Sequence, residues 1–278
     1  MNVLEFTGLV WMGSFVAGLL GALTGLGGGV VLVPLLILLF HVDIRYAIGA
    51  SLVSVIATSS GAAAAYVKEG FSNIRIGMFL EIATTLGALL GAFLATIVPT
   101  SALAVIFGIV LLYSAYISRR PRPPHERNLP PDRIATYLRM NGSLPEGNGT
   151  RYYNPQNVPA GFGLMFGAGT LSGLLGMGGG SMKVLAMDHT MKLPFKVSTT
   201  TSNFMIGVTA AASAGIYLNR GYVDPGIAMP VMLGVLAGSL LGTRILVRTE
   251  TKQLRLIFSL VIAVLGLEML YKGFAGRI

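Results

Sequence analysis

Ten apolar runs follow one another along the chain. They lie at about 8–24, 30–40, 46–67, 74–98 and 102–117, then again at 161–175, 182–191, 197–218, 227–247 and 254–271. Most come near the roughly 20 residues that a membrane-spanning helix needs. The second run of the first set is too short. About 11 residues at about 1.5 Å rise cover roughly half the hydrocarbon thickness, so residues 30–40 are predicted to form a half-helix or a re-entrant element. Between the two sets the chain changes character. Residues 119–159 carry scattered Pro, Gly and Asn, with Arg at 119, 120, 122, 127, 133, 139 and 151, which predicts a loop with at most a pair of helical turns at 134–140.

The two sets are related by one offset. Gly27 and Gly178, Ser51 and Ser202, Tyr66 and Tyr217, Gly70 and Gly221, Gly87 and Gly238, Gly91 and Gly242, and Phe107 and Phe258 all differ by 151 positions. Two copies of an odd number of crossings must be inverted relative to each other in a bilayer. The expected fold is therefore all-α and polytopic, with about ten helical segments in two inverted five-segment repeats containing short broken half-helices. Residues 1–118 form the first membrane repeat, 119–158 a linker loop and 159–278 the second repeat.

The strongest interruption of the apolar pattern is Gly25-Leu26-Gly27-Gly28-Gly29 and its second copy, Gly176-Met177-Gly178-Gly179-Gly180. Consecutive glycines end a helix, and broken backbone inside lipid survives only when buried in protein or lining a wet cavity. Half-helices starting near Val30 and Ser181 would turn their free N–H groups toward the protein centre, where an anion could bind. The alternative is that the glycines only allow close helix crossing. That second role suits Gly87/Gly91 and Gly238/Gly242, which have small-xxx-small spacing.

Composition narrows the class further. Hydrophobic residues make up 53% of the 278 and charged residues 11%, against roughly 25% charged in an ordinary soluble domain. The net charge of +9 reads as cytoplasmic membrane edges rather than as nucleic-acid binding. With no cysteine, disulfides, thiolate metal sites and cysteine nucleophiles are excluded. No Lys or Arg precedes the first apolar run, so residues 8–24 read as a first membrane helix rather than a signal peptide.

An N-terminus outside places the Lys68/Arg75 turn, the Arg-rich linker, the Lys192/Lys196 turn and the Arg244 to Arg255 turn inside, leaving Arg45, Arg220, Lys272 and Arg277 opposite. The expectation is a multi-pass protein of the plasma or inner membrane, N-out and C-out, with a cytoplasmic linker. The Asn141-Gly-Ser143 and Asn148-Gly-Thr150 triplets are then chance glycosylation matches.

The candidate substrate site comprises Gly27, Gly28, Gly29, Ser51, Gly178, Gly179, Gly180, Ser181, Lys183, Thr201, Ser202 and Asn203. Ser51 and the run Thr199 to Asn203 offer hydroxyl and amide donors, although such groups also cap helices or bond back to the backbone. Lys183 needs a counter-charge. Either the transported anion supplies it, held with the hydroxyl of Ser181 or Ser202, or a protein carboxylate does: Asp188, which is off the i+4 face, or Glu81 through tertiary packing. Glu81 lies deep in its segment and is the candidate for proton coupling. Asp188 and Glu268 are expected at the lipid interface. His41, His125 and His189 fit no metal spacing, and no cofactor or metal is expected. Neither a dinucleotide fingerprint nor a P-loop is present, because the sixth glycine of the one is missing and Lys183 does not directly follow a glycine.

The glycine breaks, Gly49 to Leu52, Gly-Met-Gly-Gly-Gly-Ser-Met-Lys-Val and Thr201 to Gly207 resemble the TauE/SafE sulfite-exporter family over nearly the whole chain outside the linker. One departure is Leu185-Ala186, where a proline would be usual; the first half keeps it as Pro34. The resemblance implies a secondary carrier of small anions, sulfur oxyanions or organosulfonates, working by alternating access around the two breaks. The partners implied are a small anionic substrate and the bilayer, with monomer and homodimer both open. An anion channel, or a non-transport membrane enzyme or accessory subunit, is the alternative. An enzyme is disfavoured because the chain shows no HExxH and no intramembrane His pair.

Overall fold

The computed structural model describes residues 3–24, 28–68, 72–119, 132–146, 149–246 and 251–276. Five helices come first: α1 (Val3–Thr24), α2 (Gly29–Phe40), α3 (Ile44–Lys68), α4 (Ile74–Ile97) and α5 (Thr100–Arg119). A small polar unit follows, made of α6 (Arg133–Tyr137) and the strands β1 (Gly142–Glu146) and β2 (Gly149–Tyr153). Then come α7 (Val158–Leu175), the short α8 (Gly180–Leu185) continuing into a π-helical turn (Ala186–Thr190), α9 (Phe195–Asn219), α10 (Pro225–Leu246) and α11 (Thr251–Phe274). The expected half-helix at 30–40 is α2, at 12 residues, with Pro34 inside it. Its counterpart without the proline is the α8 segment, which relaxes into π geometry at the same distance from the break.

Among the described residues, five helices are long and apolar enough to cross a membrane, with spans at Leu4–Gly21, Ile74–Ile97, Thr100–Ile117, Val158–Leu175 and Pro225–Gly242. Met78, Ile82, Leu86 and Leu90 form an exposed row at four-residue steps along α4. A stripe of that kind is suited to lipid and not to water. By contrast α3 and α9, each 25 residues long, carry rows of Ser and Thr. They pack against each other.

The packing partners follow the duplication. α1 lies on α10 and α7 on α4, while α3 meets α9 and α5 meets α11; exchanging the two halves turns this set into itself. A Cβ at Gly169 would land on the Thr84 carbonyl and one at Gly173 on the Ala88 carbonyl, so α7 and α4 run in the same direction. Gly234 against Trp11 and Gly238 against Phe15 show the same for α10 and α1. Gly87 and Gly91 press on the carbonyls of Phe166 and Thr170. The expected packing role of Gly87, Gly91 and Gly238 is therefore what the structure shows, and backbone contact this close requires a residue without Cβ. Helix α5 runs against α11, because Gly108 meets Gly266 while Gly273 meets Ser101.

Loops gather on two faces. On one, the Asn73 side chain caps α4 by accepting from Ile76 N at 3.2 Å and donates to the Met140 carbonyl and the Tyr153 hydroxyl, both at 3.0 Å. On the same face Gln156 N donates to the Met191 carbonyl at 2.9 Å, so the α7–α8 hairpin begins and ends on one side. Burial raises the Tyr153 phenol above its ordinary pKa, against the smaller opposing effect of the Asn73 hydrogen bond. On the other face the Arg45 guanidinium donates to the Ala95 and Val98 carbonyls at 3.2 and 3.1 Å and lies over the Tyr222 ring. A cation there closes the C-terminal end of α4.

Two expectations need correction. The linker is not only loop with a helical turn: β1 and β2 form an antiparallel hairpin pairing Gly142 with Tyr153 through to Glu146 with Gly149. Asp188 does not sit at a lipid interface. It is buried in the π turn, where it has partners. Glu268, by contrast, is exposed and pairs with Lys272 at 3.8 Å.

Candidate functional site

The second glycine break is built from left-handed backbone. Gly176, Gly178 and Gly179 have φ of 67°, 70° and 65°, conformations that a residue with Cβ adopts only with strain. The neighbours leave no room either. A Cβ at Gly178 would stand 2.9 Å from Ile206 and 3.0 Å from Val55, and one at Gly179 would stand 2.9 Å from the Ser172 Cβ. At the first break, Gly28 keeps right-handed φ of −65° and N-caps α2. Gly27 lies outside the described residues, as does the side chain of Ser181.

The two breaks meet. A Cβ on Gly29 would lie 3.0 Å from the Gly176 carbonyl, 3.3 Å from the Met177 Cα and 2.8 Å from the Ser51 hydroxyl. Ser51, on α3, donates to the Gly176 carbonyl at 2.8 Å, a clasp between the two halves. Its counterpart Ser202, on α9, donates to the Gly180 carbonyl at 3.3 Å. Tyr217 donates to the Gly173 carbonyl at 3.1 Å. The bonds from Ser51 and Tyr217 supply partners for carbonyls that the end of α7 leaves open. Ser172, fully buried beside Gly179, has a hydroxyl with no partner among the described residues.

Lys183 is fully buried, one turn beyond Gly179, to whose carbonyl its N–H donates at 3.0 Å. Its ammonium donates to the Thr209 hydroxyl on α9. That hydroxyl lies 2.7 Å from Glu81 Oε1 on α4, with the Met205 carbonyl as a second acceptor at 2.9 Å. Thr85 also donates to Glu81 Oε1, at 3.0 Å. The other carboxylate oxygen, Oε2, is buried with no partner among the described residues. Lys183 thus faces Glu81 across one hydroxyl, the tertiary contact that sequence spacing left as an alternative. Thr209 was not among the residues the sequence singled out. Its only signal is a polar residue seven positions after Ser202 on an otherwise apolar stretch of α9.

Not every candidate comes to the break. Thr201 turns toward α4, accepting from Asn73 N at 3.1 Å. Asn203 is half-buried on α9. Thr199 donates back to the Phe195 carbonyl and Thr200 to the Lys196 carbonyl, the capping behaviour open to such side chains. His41 and His189 are exposed, and His125 lies outside the described residues. No metal-binding group of three acidic, His or Cys side chains occurs among the described residues.

An apolar helical surface, buried polar side chains on α3, α4, α8 and α9, and broken helices where the halves meet define an integral membrane protein of the transporter type. The chain belongs to the sulfite exporter TauE/SafE family, whose model matches residues 10–269. It is 29% identical to the probable membrane transporter protein YunE of Bacillus subtilis, covering 97% of this chain and 99% of that one. It is 24% identical to the probable membrane transporter protein YdhB of the same organism, over 95% of this chain and all of the other, 100%. It is also 26% identical to the probable membrane transporter protein MJ0441 of Methanocaldococcus jannaschii, covering 92% of each. No solved structure matches it. The protein is a membrane transporter of this family.

Proposed function

We propose that the protein is a secondary carrier of small anions, of the sulfur oxyanion or organosulfonate class, working by alternating access around the meeting point of the two glycine breaks. One observation carries the reading: a fully buried lysine and a buried serine hydroxyl that has no partner among the described residues stand on the elements flanking the break, where both halves contribute backbone. A buried cation and a buried hydroxyl on the elements that form one break are chemistry for an anion, and broken helices at the junction of repeats are where carriers place their sites. Gly28, Gly29, Gly178 to Gly180, Ser51, Ser202 and Lys183 belong to this site, and Ser172 joins them. Thr201 and Asn203 are second-rank candidates, because Thr201 is bonded to the α3–α4 turn.

The helix directions support inverted repeats. The positive-inside rule favours a cytoplasmic linker face in the plasma or inner membrane, with both termini outside. The direct test is binding of sulfite, thiosulfate, sulfoacetate, sulfate and acetate to purified protein, followed by counter-transport in liposomes. Saturable binding of at least one sulfur anion, lost by about tenfold or more in Lys183→Gln, is the expected result. Unitary currents instead of counter-transport would make it a channel. Binding of none would refute the anion site.

A further inference from the structure

We infer that Glu81 is the proton-binding group of this carrier, and that Thr209 and Lys183 couple it to the anion, so that one proton is taken up with each anion bound. The inference rests on the carrier reading above and adds the coupling ion to it.

The charges close only one way. In the empty site a buried ammonium and a buried carboxylate share the Thr209 hydroxyl, which accepts from Lys183 and can donate to Glu81 Oε1. The net charge is zero, as burial inside a helical bundle demands. Adding a monovalent anion to that pair would leave one uncompensated negative charge. Protonating Glu81 restores neutrality, and the ammonium becomes the counter-charge of the anion. The proton is delivered by hydronium from bulk solvent: one hydronium O–H bond breaks, leaving water, as the carboxyl O–H bond forms.

The geometry has a place for each step. Glu81 Oε2 is buried and unpartnered among the described residues, so its protonated form has no protein acceptor there. An oxygen of an anion held by Lys183 would be that acceptor. Thr209 has two acceptors within reach, Glu81 Oε1 at 2.7 Å and the Met205 carbonyl at 2.9 Å. Its proton can therefore move to the backbone when Glu81 is neutral.

Other charges nearby do not replace this pair. α7, packed against α4, carries no Asp, Glu, Lys, Arg or His. α9 carries Lys196 at its start, with partners of its own. The α8 segment carries Lys183, then Asp188 and His189 in the π turn, where Asp188 is buried with partners and His189 is exposed. On α4 itself, Arg75 donates to the Arg139 carbonyl of the linker unit.

The test uses methanesulfonate and ethanesulfonate, monovalent anions that do not titrate near neutral pH. Calorimetry on the purified full chain, in buffers of different ionisation enthalpy, should show about one proton taken up per anion bound, and affinity should fall with rising pH with a limiting slope of about tenfold per pH unit. Glu81→Gln, a fixed neutral mimic, should still bind, with no proton uptake and no pH slope. Thr209→Val should flatten the slope and Thr209→Ser restore it, which a merely structural threonine would not do. Anion binding by the wild-type protein without proton uptake overturns the coupling and leaves the carrier standing. Failure of both probes to bind overturns the carrier reading, and the coupling falls with it.

Discussion

At the scale of single residues, the break is held by a few donors aimed at carbonyls that a helix end leaves bare. Ser51 joins the two halves, because its hydroxyl donates from the first half to the Gly176 carbonyl of the second. Ser51→Ala leaves that buried acceptor without its partner, at a cost of about 1–3 kcal/mol. The expected outcome is a lower melting temperature in detergent, with Ser51→Thr closer to wild type than Ala. Gly178 is constrained in two independent ways, by φ of 70° and by side chains at 2.9 and 3.0 Å. Lys183 illustrates the opposite situation, since its burial is tolerable only through what it faces. Chain spacing placed it at depth, but the identity of its neighbour came from α4, over a hundred positions away.

At the scale of elements, the helices are locked in pairs by glycines that let one backbone rest on another. In the α4–α7 pair, Gly169 lies on the Thr84 carbonyl, while Gly163 on the same helix has nothing within 4 Å of a prospective Cβ. Gly169→Val should force the helices apart and abolish a stable, monodisperse protein in size-exclusion chromatography. Gly163→Ala should be neutral or stabilising by up to about 1 kcal/mol, from helix propensity alone. Equal effects of the two substitutions would refute a backbone-contact seam. The 151-residue duplication makes Gly18 the partner of Gly169, and Gly18 indeed faces the Val235 backbone in the α1–α10 pair.

At the scale of the whole molecule, both hairpins made of a long helix and a half-helix return to the face they started from. Three helices then alternate between faces in each half. The linker unit docks on one face only, through Asn73, Arg75 and Gln156. With no native cysteine to interfere, single cysteines at Ser143 in β1 and Asn219 at the opposite end of α9 report the two faces. An impermeant thiol reagent applied to intact cells should label Asn219→Cys and spare Ser143→Cys. The reverse pattern would invert the assignment of inside and outside while leaving the fold unchanged.

The sequence by itself determined the helical membrane class, the duplication, the glycine breaks and the short second helix, because each is a local or periodic property: hydropathy over a helix length, a constant offset, the loss of Cβ. It contained the hairpin too, in Gly147-Asn148 between residues 142–146 and 149–153, a two-residue turn signal obscured by the prolines and arginines around it. What only the tertiary structure decided is which groups meet. Residue type marks Ser51 and Thr201 as candidate donors, but does not say that one closes on Gly176 and the other turns to Asn73. Those partners lie 125 and 128 positions away. The burial of Asp188 and the Thr209 bridge between Lys183 and Glu81 were equally beyond reach, since no rule of spacing along one helix fixes the angle and register at which three helices cross.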